Sequence, residues 1–299
     1  MTAVDVLVVG GGPSGLSVAT AAAEAGASVT LVDEWPSLGG RLRYRRAAVE
    51  IGARSVGPVE LSESLVGRAR GAGVVLRPGT VAWSAFRGSR GLEVGIRGDA
   101  ASGEVATPAR LILATGTTDR AAIVAGATYP GVLTARAVQI LFNLHGVRPG
   151  QRFAVLGDER VDELMADIEA AGGQVVRQVP ASELGATVID GEDGVRGITV
   201  GGVTTEVDIV VTALGTLPDT QIAGMLGCAA RSDGAWPPVP RRADDGSLRV
   251  PGVFACGSSA GAGSIEASIF DGARVGRGRA DEVADAAFAA GLIGGGAIR

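Results

Sequence analysis

A glycine-rich turn at residues 10–15 constrains the fold of this chain more than any other feature of its sequence. Residues 4–9 before it are mostly apolar and β-branched, which is typical of a strand buried on both faces. Gly10, Gly12 and Gly15 then follow with the spacing GxGxxG. At this spacing Gly10 permits a tight turn, Gly12 lets the backbone approach a pyrophosphate, and Gly15 lets the next helix pack on the strand. The pattern therefore predicts a bound dinucleotide.

The segment after the turn completes a strand–helix–strand unit. Pro13 to Ala25 is rich in alanine and predicts a helix that Gly26 ends, and residues 29–32 predict a second strand. The positive end of this helix, with its unpaired N–H groups, would meet the phosphates. Asp33, about 20 residues beyond the turn, could accept a hydrogen bond from a ribose hydroxyl. The motif alone does not distinguish FAD from NAD.

Later segments repeat the alternation of strands and helices. Strands are predicted at 109–114, 153–156, 174–177, 207–214 and 252–257, and helices at 162–171 and from 265 onward. This order predicts an α/β fold with two Rossmann-like dinucleotide-binding domains, the second inserted into the first. The FAD-binding domain would comprise residues 1–115 and 215–290, the NAD(P)-binding-like insert residues 116–214, and a loose tail residues 291–299.

The composition argues against several classes of function. A net charge of −5 disfavours nucleic acid as a partner, because phosphate binding needs a basic surface. The absence of lysine excludes a Schiff-base or a Walker lysine, and a single histidine argues against a metal site built on several histidines. Cys228 and Cys256 lie far apart in the sequence and form no CxxC dithiol. With no secretory signal and no apolar run long enough to span a membrane, we expect a cytoplasmic protein.

Longer segments carry a resemblance to a known family. They read VDEWPSLGGRLRY, GTVAWSAF, LILATGTTDR, YPGVLTARAVQILFNLHGVRPGQ, GTLPDTQIAGMLGC and PGVFACGSSAGAGSIEASIFDG. On these segments the chain resembles the two-dinucleotide-domain flavoproteins that include thioredoxin reductase. Within them it is most similar to the FAD-binding α subunits of multi-subunit amine and amino-acid dehydrogenases, such as hydrogen cyanide synthase, opine oxidase, hydroxyproline and proline dehydrogenase, and heterotetrameric sarcosine oxidase.

The resemblance implies FAD as the cofactor and a set of residues that bind it. For the diphosphate, ribose and adenine these are Gly10, Gly12, Pro13, Ser14, Gly15, Asp33, Glu34 and Val81. For the diphosphate–flavin side they are Gly40, Arg41, Thr115, Gly116, Gly257, Ser258, Glu266 and Ala267. The resemblance assigns no catalytic residue and no metal ligand.

Three departures from the family pattern qualify this picture. Ser258 stands where the family usually has aspartate, although its hydroxyl can still bind a phosphate or ribityl group. In the insert, the turn at residues 157–162 keeps only its first glycine and carries three carboxylates, so we predict that NAD(P)H does not bind there productively. We expect Asp158 and Glu159 to cap the following helix themselves, while Arg160 leaves an adenine nucleotide as an open alternative. With only two cysteines in the sequence, we expect a separate subunit to supply any cysteine-rich iron–sulfur extension of the kind that some relatives carry.

The leading interpretation is an FAD-containing electron-transfer subunit. Its partners would be a second flavoprotein subunit that oxidises the amine and, as an option, an iron–sulfur subunit. One alternative is a stand-alone NAD(P)H-dependent flavin reductase of the thioredoxin-reductase type without its CxxC dithiol. Another is a non-catalytic nucleotide-binding scaffold.

Several residues have a structural interpretation beside a functional one. Cys228 and Cys256 are expected to pack in the core, and His145 to cap or pack a helix end. Trp35, Trp83 and Trp236 are interpreted as packing residues rather than flavin stackers. For Arg43, Arg45 and Arg46, a solvated loop and an anion-binding role remain equally open.

Overall fold

The computed structural model describes residues 2–98, 103–228 and 238–278. Trp236 and the predicted tail lie outside the described residues. Contacts divide the chain into two units. The first contains Met1–Arg43, Ala48–Thr117 and Pro218–Arg299, and the second contains Tyr44–Ala47 and Thr118–Leu217.

The helices and strands follow in chain order. From the start of the chain they are β1 Thr2–Val9, α1 Pro13–Glu24, β2 Val29–Asp33, β3 Val49–Ile51, β4 Arg54–Val56, α2 Pro58–Gly71, β5 Val75–Pro78, β6 Val81–Gly88, β7 Gly91–Arg97, β8 Glu104–Leu113 and β9 Thr117–Asp119. The second group is β10 Val132–Thr134, α3 Ala135–His145, β11 Arg152–Leu156, α4 Val161–Ala170, β12 Gln174–Val179, β13 Thr187–Gly191, β14 Val195–Val200, β15 Val203–Glu206, β16 Ile209–Thr212 and β17 Thr216–Pro218. The last are α5 Gln221–Met225, β18 Val253–Ala255 and α6 Ile265–Arg277.

A mostly parallel sheet forms the centre of the first unit. Its strand order is β5-β2-β1-β8-β7-β6, and β18 also pairs with β8. β5, β2, β1, β8 and β18 are parallel, whereas β7 and β6 are antiparallel additions. The chain passes from β1 to β2 on one side and reaches β8 on the other, so the strand order reverses between β1 and β8. In open sheets of this kind, ligands bind at the carboxyl ends of the strands beside such a switch point.

Helices α1 and α6 pack closely against each other in the first unit. The contact depends on small residues, because a Cβ on Gly276 would lie only 2.5 Å from the carbonyl oxygen of Val18. Gly272 approaches the backbone of Ser14 in the same way. Leu16 and Val18 of α1 and Ile269 of α6 are fully buried in the same core cluster, and a buried apolar side chain of this size contributes about 1.5 to 3 kcal/mol. This packing fixes the start of α1 relative to the sheet.

The second unit contains a smaller parallel sheet of order β10-β16-β11-β12. Its unit β11–α4–β12 repeats the strand–helix–strand arrangement of β1–α1–β2. An antiparallel sheet of β13, β14 and β15 is added to it. The α/β fold with two Rossmann-like arrangements is therefore the one that the sequence predicted.

Individual elements differ from their predicted extents. The strand predicted at 207–214 is limited to Ile209–Thr212. The hairpin of β3 and β4 and the antiparallel sheet of the second unit were not predicted. No helix in the described ranges is long and apolar enough to cross a membrane.

Candidate functional site

The turn between β1 and α1 is held by two of its glycines. Gly10 has φ 109°, and a Cβ on it would overlap the carbonyl oxygen of Ala114 just beyond β8. A Cβ on Gly15 would overlap the carbonyl oxygen of Gly10, because the first turn of α1 lies directly against it. Packing inside the protein therefore requires both glycines.

Gly12 differs from these two, because its surroundings in the described part of the chain leave room for a side chain. Its φ of −77° and ψ of −176° are extended values that any residue adopts. The nearest atom to a Cβ built on Gly12 is the Cα of Gly40, at 3.9 Å. Gly12 is also the N-cap residue of α1 and offers no side-chain acceptor to the first N–H groups of the helix. An open space beside an uncapped helix N-terminus fits an anionic diphosphate.

Asp33 ends β2 beside this turn. Its Oδ2 accepts a hydrogen bond from the Gly11 N–H at 2.5 Å, and its Oδ1 accepts one from the Trp35 N–H at 2.8 Å. Burial raises the pKa of Asp33, although these two hydrogen bonds and the charge of Arg43 act to lower it. The carboxylate keeps further acceptor positions, so it can still bind a ribose hydroxyl. Glu34, the next residue, is exposed.

The loop after β2 folds back over the glycine turn. The Gly39 N–H donates to the Gly11 carbonyl oxygen at 2.8 Å. Gly40 lies against Gly12, since a Cβ on Gly40 would be 2.8 Å from the Gly12 Cα. Arg41 follows, half-buried in a short 3-10 helix. The predicted residues Gly40 and Arg41 therefore lie at the same turn as Gly12.

Val81 is brought to the Asp33 side of the sheet by backbone hydrogen bonds. The Thr80 N–H donates to the Asp33 carbonyl oxygen at 2.8 Å, and the Gly79 N–H donates to the Trp35 carbonyl oxygen at 2.8 Å. Val81 begins β6 directly afterwards, and its side chain is exposed. Its position agrees with contact to the adenine end of a dinucleotide.

The predicted residues after β8 and β18 lie on the other side of the switch point. Gly116 has φ 74°, and a Cβ on it would lie 3.9 Å from Oγ of Ser258. Thr115 uses its hydroxyl to donate to the Asp219 carbonyl oxygen at 2.7 Å. Thr115, Gly116 and Ser258 thus line one edge of the candidate site.

Asp271 of α6 holds the turn at Gly257 in place beside Ser258. The sequence analysis did not predict this role. Oδ2 of Asp271 accepts from the Gly257 N–H at 2.8 Å, and its carboxylate pairs with Arg242 at 2.8 Å and Arg274 at 2.7 Å. Burial raises the pKa of Asp271, but the hydrogen bonds from both arginines and Gly257 outweigh it and leave the pKa below its usual value. The sequence offers one weak signal for the role of Asp271, which is the pair Asp271-Gly272 at 14 positions after Gly257.

Glu266 and Ala267 lie in the first turn of α6, and one polar group of each already has a partner. Oε1 of Glu266 accepts from the Gly52 N–H at 2.7 Å. The Ala267 N–H donates to the capping hydroxyl of Ser264 at 3.0 Å. Contact of these residues with the flavin stays a prediction.

The corresponding turn of the second unit starts in the same way and then diverges. Gly157 has φ 118°, and a Cβ on it would overlap the carbonyl oxygen of Ala213. Glu159 occupies the position that Gly12 has in the first turn. Its side chain lies along Gly215, since a Cβ on Gly215 would be 3.3 Å from the Glu159 Cγ. A carboxylate side chain therefore extends along the switch point of this sheet.

The start of α4 contradicts the prediction that Asp158 and Glu159 cap it together. The N-cap residue is Arg160, whose φ of 55° is in the left-handed region and whose side chain makes no capping hydrogen bond. Oδ2 of Asp158 instead accepts from the Ala181 N–H at 2.9 Å. The prediction was wrong for Asp158 because it assumed a local bond, whereas the partner lies 23 residues away.

Both cysteines are buried. Burial raises the pKa of Cys256 to about 12, and burial also raises the pKa of Cys228. Ser14 directs its hydroxyl to Sγ of Cys256 at 3.1 Å, so its backbone N–H is the group left to face a phosphate. These thiols are core residues, in agreement with the structural interpretation. Among the described residues, no group of side chains could hold a metal ion.

Taken together, the first turn fits the diphosphate and ribose that FAD shares with other dinucleotides. The open position above Gly12, the uncapped helix start and the acceptor Asp33 match a diphosphate followed by a ribose. The individual roles of the sixteen predicted residues stay a prediction.

Comparison with known proteins agrees with this geometry. Residues 5–50 match the family of FAD dependent oxidoreductases. The chain is 32% identical over 181 residues to the alpha subunit of sarcosine oxidase from Rhizobium meliloti (strain 1021), a match that covers 58% of this chain and 18% of that protein. It is 28% identical over 324 residues to an opine oxidase subunit from the same organism, and this match covers 90% of this chain and 69% of that protein.

Solved structures agree on the fold. L-proline dehydrogenase from P. horikoshii superposes with a TM-score of 0.80 at 22% identity, over 92% of this chain and 54% of that one. Thioredoxin reductase of T. acidophilum superposes with a TM-score of 0.69 at 20% identity, over 93% and 98% of the two chains. The chain is thus similar in its first strand–helix–strand unit to the FAD dependent oxidoreductases, and over most of its length to the subunits of multi-subunit bacterial oxidases.

Proposed function

We propose that this chain is an FAD-containing electron-transfer subunit of a multi-subunit amine or amino-acid dehydrogenase or oxidase. The observation that carries the proposal is the difference between its two dinucleotide turns. The turn at Gly12 has room for a diphosphate, whereas Glu159 extends along the equivalent place in the second unit. Such a chain would hold a flavin without drawing electrons from NAD(P)H.

FAD supplies two-electron and one-electron redox chemistry when it is bound. The residues of this chain hold and orient it. The N–H groups at the start of α1 would bind the diphosphate, and Asp33 would accept from the adenosine ribose. Gly116 and Ser258 would contact the ribityl–phosphate side, with Asp271 holding the Gly257 turn in place.

The substrate chemistry belongs to a partner protein in this proposal. The relatives named above are themselves described as subunits, and this chain spans only a fraction of its sarcosine oxidase relative. The chain lacks a CxxC dithiol, and both of its thiols are buried. We therefore assign amine oxidation to a second flavoprotein subunit, with an iron–sulfur subunit as an optional further component of the complex.

Absorbance spectroscopy of the purified full chain tests the proposal. We expect a flavin spectrum that dithionite bleaches and that NADH and NADPH leave unchanged over minutes. Co-purification from the native host should recover a second flavoprotein that reduces this chain when an amine or amino acid is added. A chain without flavin would support the scaffold alternative, and rapid bleaching by NADH would support the stand-alone reductase. Either result would refute the proposal.

A further inference from the structure

The loop that follows Asp33 carries an exposed tryptophan, Trp35. Trp35 is 39% exposed, which is high for the largest apolar side chain. The guanidinium carbon of Arg43 lies 4.9 Å from the centroid of its ring, so a cation covers one face of the indole.

The backbone holds Trp35 close to the predicted ribose acceptor. Its N–H donates to Oδ1 of Asp33 at 2.8 Å, and its carbonyl oxygen accepts from Gly79 at 2.8 Å. Val81, the predicted adenine contact, follows two residues after Gly79. In FAD the adenine base is bonded directly to the ribose that Asp33 would bind, so the base must lie among the neighbours of Asp33.

We propose that Trp35 and Arg43 form the adenine-binding wall of the first unit, with the indole stacking on the adenine base of FAD. The inference rests on the proposed FAD site and names the residues that would bind the adenosine half of the cofactor. An indole presents a broad π surface for a purine, and such a ring gains from stacking beyond the area that it buries. Arg43 orients the indole from its other face and places a positive charge near Asp33.

Trp83 provides the matched comparison. It is 56% exposed, but its ring packs on the sheet, because a Cβ on Gly95 would lie 2.7 Å from the indole. Gly95 belongs to β7, so the indole of Trp83 is held against the neighbouring strand, whereas Arg43 lies over one face of Trp35. The third tryptophan, Trp236, would be unchanged in every variant.

Titration of the full chain after removal of its flavin tests this assignment with two ligands. ADP carries the adenosine and diphosphate without a flavin, and FMN carries the flavin without an adenosine. Calorimetry should show that Trp35→Ala weakens ADP binding by about threefold to tenfold and leaves FMN binding unchanged. Trp35→Phe should restore most of the affinity, Arg43→Gln should weaken ADP binding less than Trp35→Ala does, and Trp83→Ala should have no effect.

Tryptophan fluorescence gives a second readout that does not depend on the alanine variant folding. ADP should quench the emission of the wild-type chain and of Trp83→Phe, and the quenching should be lost in Trp35→Phe. If wild-type protein binds FAD and ADP but Trp35→Phe keeps the full quenching, the assignment is wrong and the FAD site stands. If wild-type protein binds neither FAD nor ADP, the proposed function itself fails together with the inference.

Discussion

The two glycine turns of this protein begin alike and end differently. Gly10 and Gly157 both have a left-handed φ, and each lies against the carbonyl oxygen of an alanine at the end of the neighbouring strand. The Gly10 N–H donates to the carbonyl oxygen of Val32 at 2.9 Å. In the second unit the Gly157 N–H donates to the carbonyl oxygen of Val179 at 2.8 Å. The sheet therefore requires the first glycine of each motif, whether or not a nucleotide binds.

The later positions of the motif depend on the ligand and on the helix. Gly12 opens a space, and its counterpart Glu159 extends a carboxylate into the same region of the second unit. Gly15 brings α1 against Gly10, whereas its counterpart Asp162 is exposed. The comparison indicates that a Rossmann-like fold persists after its phosphate turn changes, because the strands and the first glycine carry its stability.

The largest expected effect concerns Gly12. Gly12→Val should lower the affinity for FAD by more than about a hundredfold, because the side chain would fill the space proposed for the diphosphate. Gly67→Val is the matched control, since a Cβ on Gly67 meets no atom within 4 Å and the residue lies in α2, away from the turn. Flavin content per chain, measured by absorbance, checks both variants. Full flavin content in Gly12→Val would remove the diphosphate from this turn.

A smaller effect, on the free energy of unfolding, should distinguish the start of α1 from the start of α4. Gly15→Ala should destabilise the protein by about 2 kcal/mol, because its Cβ would overlap the backbone of Gly10. Asp162→Ala, at the matching position, should change the free energy of unfolding by no more than about 0.5 kcal/mol. Urea unfolding followed by circular dichroism measures both. Equal losses would show that the two helices pack on their turns in the same way.

The sequence predicted the fold well because strand and helix periodicities, together with the first glycine of each turn, are local signals. It also identified which turn had changed. It could not predict the left-handed Arg160, since residues other than glycine rarely adopt that conformation. It missed the bond between Asp271 and Gly257, and it misplaced Asp158, because both carboxylates bind backbone far away in sequence. Nothing local in the sequence specifies such partners.

The pH dependence of FAD binding tests the acceptor at the end of β2. The raised pKa of Asp33 means that the folded apoprotein holds this proton to a higher pH than an ordinary aspartate does. The contribution of Asp33 to the free energy of unfolding is complete below the pKa that the residue has in the unfolded chain. This contribution is lost as the pH rises through the pKa of the folded protein. FAD binding changes in the opposite sense, because the ribose hydroxyl needs the charged acceptor.

FAD affinity should therefore fall on acidification, beginning above the ordinary aspartate pKa of 3.8. Asp33→Asn should weaken binding by about tenfold at neutral pH and remove this part of the pH dependence. Flavin fluorescence recorded during an acid titration measures both effects. An unchanged pH profile in Asp33→Asn would show that Asp33 does not contact the cofactor.

Glu159→Gly gives the turn of the second unit the residue that Gly12 provides in the first. Removing the side chain that lies on Gly215 should strengthen NADH binding by about threefold to tenfold, although Asp158 and Asp162 remain. Glu159→Gln keeps the size and removes the charge, so it separates steric exclusion from electrostatic repulsion. Calorimetric titration with NADH compares the variants. Micromolar binding by the wild-type chain would show that Glu159 does not close this turn.

The smallest expected effect lies at Arg160, the counterpart of Pro13. Pro13 begins α1 at the first helical position, where proline is favoured, whereas Arg160 holds φ 55° before α4. Arg160→Gly should relieve about 1 kcal/mol of backbone strain but lose the half-exposed ion pair with Glu163, which is worth less. We expect a net gain of up to about 0.5 kcal/mol in the free energy of unfolding. Arg160→Ala loses the same ion pair without relieving the strain, so it should be less stable than Arg160→Gly by about 1 kcal/mol in urea unfolding. Equal stability of the two variants would mean that the left-handed residue is not what distinguishes the second turn from the first.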